Sequence, residues 1–155
     1  TLMPNHSVEV RNKVNDIFHK HLISHIQAGN GALYPNVVEL LQALKDNDSE
    51  IFIASNGQTE YLQAIVSYYK LNRWVTETFS IDQIDSMKKS DLVAMIIKKY
   101  GFLKGAVVGD RLSDIEAAKS NKLMAIGCRF DFAKDEELAQ ADYVIDDLLE
   151  LKAIL

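Results

Sequence analysis

Three short segments of this chain carry residues whose types and spacing can do chemistry on an anionic substrate. Ser55-Asn56-Gly57 follows an apolar run. A hydroxyl and backbone N–H groups at such a turn, with a Gly that lets a ligand approach, can cradle a phosphate. Lys88-Lys89 precedes an amphipathic stretch, and an ammonium there can neutralise charge on a transferring phosphoryl group. Asp110, with Asp114 four residues on, follows a second apolar run. Paired carboxylates at that spacing suit Mg²⁺, which takes oxygen ligands and keeps several waters. Ser113 and Glu116 fit a capping box that would fix the helix start and aim Asp114 back toward the preceding run. Taken singly, each segment has a plain reading: a common turn, a solvated lysine pair, charges at a helix start. Their order at successive strand ends favours the functional one.

The elements that must position these residues can be read from periodicity. Val10, Val14, Ile17, Phe18, Leu22 and Ile26 recur every three or four residues, which predicts an amphipathic helix over 7–28. Ala28-Gly29-Asn30-Gly31-Ala32 breaks it. A helix over 37–45 follows, with Pro35 suited to its first turn. The period then changes. Ile51–Ala54, Ala106–Gly109, Met124–Gly127 and Tyr143–Ile145 are short continuous apolar runs, and Thr78–Ile81 is a weaker one. Continuous runs of this kind are strands covered on both faces of a parallel sheet. Helices over 59–69 and 90–100 alternate with them, Asp110 to Asp114 leads into another, and a last helix runs from 147 toward 154. Gly101 closes the second of these helices. The grammar is that of an α/β fold: a Rossmann-like parallel sheet with helices on both faces. In such sheets ligands bind at the carboxyl ends of the strands, where Ser55 and Asp110 fall.

At 155 residues the chain has room for one core domain, and 48% apolar with 25% charged residues is the balance of a globular protein. The net charge of −5 leaves no dense basic face, so nucleic acid is not the expected partner. No apolar run approaches a membrane span. One cysteine, Cys128, rules out an internal disulfide framework and suits a reducing cytoplasm; it reads as a small buried residue. His21 and His25 lie four apart on a helix and could pair on a metal, but no third ligand is evident nearby, and a solvated face is the alternative. Trp74 and Tyr68-Tyr69 read as packing under a helix connection.

From about Leu33 to the end the sequence resembles the haloacid dehalogenase superfamily, in its phosphoglycolate-phosphatase-like branch. "IFIASNG" resembles the second family motif, "KKSDLV" the third, "AVVGDRLSDIEAAKSN" the fourth and most specific, and "ADYVIDDLLEL" the closing strand and helix. The resemblance implies a Mg²⁺-dependent phosphatase acting on a small phosphorylated substrate. An Asp after the first strand would form an aspartyl-phosphate, and a second Asp two residues on would serve as acid and base. Carried over, Ser55, Asn56 and Gly57 would bind the phosphoryl group. Lys89, which fits the spacing better than Lys88, would offset its charge. Asp110 would be the main Mg²⁺ ligand, and Asp114 a second ligand or the carboxylate behind it. Residues 1–31 would be part of a helical cap, and 32–155 the α/β core.

The first motif, a strand followed by Asp-x-Asp-Gly-Thr, is absent. Asp46-Asn47-Asp48 follows a helix and lacks the Gly-Thr, so it is not accepted as the nucleophile. The family's first strand would lie between those of Ile51–Ala54 and Ala106–Gly109. We therefore expect it, with the nucleophile, on an upstream peptide that completes the sheet, and expect the chain alone to be inactive. The initial residue, Thr1, fits a processed Met or a start within a longer product. Three alternatives remain: a domain that only binds phosphorylated ligands, a metal-independent dehalogenase, and a receiver-type phosphoacceptor. A dehalogenase would lack the carboxylate of the fourth motif. A receiver would place its acidic residues before its Lys.

Overall fold

The computed structural model describes residues 3–155. Helix α1 spans Val8–Gln27, and the Ser7 hydroxyl accepts the Val10 N–H at 3.4 Å to start it. None of its residues is buried, and Val8, Val10, Ile17 and Phe18 stay exposed. The helix packs mainly on α3 (Thr59–Tyr68). At their junction a Cβ on Gly29 would collide with the Tyr68 hydroxyl, and Gly29 adopts φ +78°. Pro35 lies just outside α2 (Val37–Asp46), whose N-cap is Asn36 in the left-handed region. It is therefore not a first-turn residue as expected; the turn at 34–36 sits ahead of the helix.

The remaining elements alternate as the sequence predicts, apart from one helical turn at Asp135–Leu138 that its periodicity did not show. Strand β1 (Phe52–Ser55) leads to α3, and β2 (Glu77–Ser80) leads to α4 (Lys89–Tyr100). Strand β3 (Ala106–Gly109) leads to α5 (Leu112–Ser120), and β4 (Met124–Cys128) leads to a single turn, α6 (Asp135–Leu138). Strand β5 (Tyr143–Ile145) precedes a 3₁₀ turn and the short α7 (Leu151–Ile154). The single helix expected from 147 is thus split, with Asp147 capping the 3₁₀ turn by accepting the Leu149 N–H. Gly101 ends α4 with φ +75°, a conformation that costs a Gly little.

All pairings are parallel. β1 pairs with β2 (Ser55 beside Ser80), β3 with β4 (Gly109 beside Gly127), and β4 with β5. β1 and β3 are not paired with each other, so the ladder is interrupted between them. Direct pairing would have excluded an intervening strand, and it does not occur. Burial reflects the interruption. Central β4 is enclosed, with Ala125 at 0% and Ile126 at 1% exposure, whereas Val108 of β3 is 37% exposed and β1 is only half-buried.

Alternation along the strands builds a core on each face. On β4, Ala125 joins Val93, Ile115, Ala118 and Leu138 on one face, while Ile126 and Cys128 join Leu40, Ile145 and Leu151 on the other. On β1, Ile53 packs with Leu62 and Val66 of α3, while Phe52 and Ala54 pack with Phe79, Leu92 and Ile96. Burying a side chain such as Ile126 contributes about 2–3 kcal/mol. Trp74 lies against the Leu62 cluster and donates from Nε1 to Gln42 at 2.8 Å. Tyr68 and Tyr69 meet edge to face at 4.9 Å, with Tyr68 44% exposed, so one of the pair is half at the surface. Among the described residues, no helix is long and apolar enough to cross a membrane.

Candidate active site at the strand ends

The carboxyl ends of β1 and β3 bring the three predicted segments together. Ser55 ends β1, and its Oγ accepts the Gly57 N–H at 2.9 Å. The hydroxyl donates to no group among the described residues, so its proton is available to an anion. The Gly57 N–H, in contrast, is already taken. Gly57 sits in a tight place: an added Cβ would stand 3.0 Å from the Tyr61 ring and 3.1 Å from Ser55 Oγ, so those side chains would have to give by a few tenths of an ångström. The turn is fastened from β2 by residues that sequence reasoning did not single out. Buried Ser80 donates to the Gly57 carbonyl at 2.9 Å. Asp82 accepts the Thr59 N–H at 2.9 Å, filling the first donor of α3. The cradle therefore rests on the Ser55 hydroxyl and the turn around Asn56, with the mouth of α3 closed by Asp82.

Across the interruption, Asn56 donates from Nδ2 to Ser113 Oγ at 3.2 Å, tying the β1 loop to the first turn of α5. Ser113 is thus not a helix cap. The N-cap is Arg111, and Asp114 takes the capping-box role expected of Glu116, its Oδ2 accepting the Arg111 N–H at 3.1 Å. The helix begins two residues earlier than the Ser113–Glu116 pattern suggested, because Asp114 folds back over β3. A Cβ on Gly109 would sit inside the Asp114 carboxylate, so only glycine admits that approach.

Asp114 is 4% exposed, and its Oδ1 lies against the Lys89 ammonium. That oxygen has no aligned hydrogen bond among the described residues, so the contact is an ion pair of charges side by side. Lys89 opens α4 with its side chain 13% exposed, while Lys88, the N-cap, faces solvent. A cleft of about 500 Å³ beside this pair is lined by Asn56, Met87, Lys88, Lys89 and Ser113 among others.

Asp110 stands at the end of β3, its side chain 31% exposed, with Oδ2 3.6 Å from Arg111 Nε. A second cleft of about 380 Å³ is lined by Tyr34, Phe130, Asp131 and Asp147 among others. Burial, then the Asp131 and Asp110 carboxylates, push the Tyr34 phenol above its usual value. Mg²⁺ demands oxygen donors and tolerates retained waters. Asp110 fits that demand. Asp114 does not present an oxygen freely, since Lys89 and the Arg111 N–H engage both. No group of three or more His, Cys, Asp or Glu side chains converges among the described residues, which leaves His21 and His25 without a third ligand. His25 Nδ1 instead lies 3.2 Å from Asn30 Nδ2.

Residues 3–128 match the family model described as haloacid dehalogenase-like hydrolase. The chain belongs to that family. It is 25% identical over 128 residues to a phosphoglycolate phosphatase of Mannheimia succiniciproducens, and 24% identical over 127 residues to the pyrophosphatase PpaX of Listeria monocytogenes. Each alignment covers 79% of this chain, but only 57% and 58% of the relative. The chain thus spans little more than half the length of the curated relatives it matches. Among solved structures, a predicted phosphoglycolate phosphatase from Haemophilus somnus superposes with a TM-score of 0.72 at 25% identity, covering 79% of this chain and 57% of that one. CbbY from Rhodobacter sphaeroides, in complex with xylulose-(1,5)bisphosphate, superposes with a TM-score of 0.81 at 18% identity, covering 90% and 65%; at that identity it shares the fold alone.

Proposed function

We propose that the whole protein is a Mg²⁺-dependent phosphomonoester hydrolase of a small phosphorylated metabolite. The observation that carries this reading is the pair of ties Asn56–Ser113 and Lys89–Asp114, which link the segments that hold Ser55, Lys89 and Asp110. Relatives described as phosphoglycolate phosphatase and pyrophosphatase support it.

In this reading Ser55 donates its hydroxyl proton to a phosphoryl oxygen, with its lone pair held by the Gly57 N–H so that the O–H points away from the turn. Asn56 is held by Ser113 and keeps the cradle at a fixed distance from α5. Lys89 brings positive charge to the phosphoryl group, and Asp114 anchors that ammonium. Asp110 holds the metal, which when bound supplies charge stabilisation to the transferring group. The nucleophilic Asp comes from a segment outside the described residues that completes the sheet between β1 and β3. A cytoplasmic setting, no nucleic acid and no membrane belong to the same reading.

The test is hydrolysis of 4-nitrophenyl phosphate by the full-length protein with Mg²⁺. Turnover is expected, with loss in EDTA and in Asp110→Ala or Lys89→Ala. Turnover unchanged in both variants, or fully retained in EDTA, sinks the reading. A second reading is favoured by the open edges of β1 and β3. It is a domain that binds phosphorylated ligands without turning them over, and phosphate binding with no hydrolysis by the full-length protein would support it.

A further inference from the structure

We infer that Arg111 is a specificity-determining residue that selects substrates carrying a second anionic group, a carboxylate or a second phosphate, on the leaving-group side. The inference rests on the phosphatase reading of the neighbouring Asp110 site. Arg111 follows Asp110 directly, and its backbone is fixed as the N-cap of α5 through the bond from its N–H to buried Asp114. Its side chain is 51% exposed and lies over the Phe132 ring, 5.6 Å from guanidinium carbon to ring centroid. That distance is within cation–π reach of the ring.

The guanidinium is also only loosely paired, through Nε with Asp110. It makes no hydrogen bond among the described residues, and its 3.6 Å approach to Asp110 is too long for one. One neighbouring carboxylate, that of Glu137, is engaged elsewhere. Glu137 accepts the Leu112 N–H at 2.9 Å and pairs with Lys134 at 3.5 Å. The other arginine nearby, Arg129, spends its donors on Asp135 at 3.1 Å and Asp146 at 2.9 Å. Lys89 is held on one side by Asp114 and is assigned to the transferring phosphoryl group. Arg111 is therefore a positioned cation beside the residue proposed to hold the metal, paired only through Nε with Asp110 at 3.6 Å, and its terminal nitrogens make no hydrogen bond among the described residues. A planar fork of this kind matches the paired oxygens of a carboxylate or a phosphate.

The experiment measures binding and turnover with the full-length protein, using 2-phosphoglycolate, propane-1,3-diol bisphosphate and propyl phosphate. Calorimetric titration is expected to give at least about tenfold tighter binding of one doubly anionic ligand than of propyl phosphate, the value of a charged hydrogen-bonded pair. The first ligand reports a carboxylate preference, and the second a phosphate preference. Arg111→Ala is expected to collapse the ratio toward one, and Arg111→Lys to retain part of it; near-ultraviolet circular dichroism checks that both fold. A ratio unchanged in Arg111→Ala overturns the inference. So does wild-type protein that fails to discriminate or binds none of the ligands. Discrimination without hydrolysis would sink the phosphatase reading and leave Arg111 standing as an anion selector. Hydrolysis without discrimination would sink the Arg111 inference alone.

Discussion

The Lys89 ammonium rests against Asp114 Oδ1, joining the first turn of α4 to the first turn of α5, with side-chain exposures of 13% and 6%. A pair this enclosed has little water to replace either partner. Removing one member leaves the other charge buried, which costs about 3 kcal/mol or more. We expect Lys89→Ala to lower the urea midpoint with an unchanged slope. The double change Lys89→Met with Asp114→Leu should recover much of that loss. Equal losses in the single and double variants would show that the pair is not coupled.

Gly109 is expected to tolerate no side chain. Its Cβ would occupy the space of the Asp114 carboxylate, so Gly109→Ala must push Asp114 off β3 and away from Lys89. We expect a cost of about 1–3 kcal/mol by denaturant titration, the range for overpacking. The effect should be strongly non-additive with Asp114→Ala, because removing the carboxylate makes room for the methyl group. Additive losses would contradict the contact.

The acid limb of stability should trace to surface carboxylates that accept backbone N–H groups. The Ala125 N–H, then Lys119, hold Asp142 below the usual aspartate range. The Leu149 N–H, then Asn36, do the same for Asp147. A carboxylate whose folded value is depressed binds fewer protons folded than unfolded. Its contribution is complete above the unfolded value, near 3.9 for Asp, and is lost as pH falls through the folded value. The thermal midpoint should therefore drop as pH is lowered below about 4. Asp142→Asn should make that drop shallower. An identical acid limb in Asp142→Asn would exclude the assignment.

Cys128 should be chemically silent in the native state. Burial, with the Asp110 and Asp114 carboxylates adding to it, pushes its thiol up to about 12. The thiolate is the reactive form. We expect no reaction with 5,5′-dithiobis(2-nitrobenzoic acid) at pH 8 on the timescale of minutes, and full reaction in denaturant. Rapid native labelling would show that β4 opens readily at its end.

The sequence by itself determined the elements and their order. Short apolar runs such as Ala106–Val108 are local signals of strands covered on both faces, and the glycine at 101 marks a helix end wherever it falls. It also named Ser55, Lys89, Asp110 and Asp114 as the residues to watch, through their position after strands and the resemblance of the surrounding motifs. The tertiary structure decided what those residues do to one another. Lys88 and Lys89 are adjacent in sequence and equivalent in chemistry; only the packing of α4 on α5 turns Lys89 inward to Asp114 and leaves Lys88 in water. Ser113 reads locally as a cap, yet the backbone folds so that Asp114 takes that duty and Ser113 reaches Asn56, 57 positions away along the chain. Ser80 and Asp82 carry no motif, and their grip on the Ser55 turn exists only because β2 lies beside β1. Periodicity and turn chemistry are properties of a few neighbouring residues, so a sequence displays them. Ion pairs and long-range hydrogen bonds depend on which faces meet, and the assembled sheet and helices fix that.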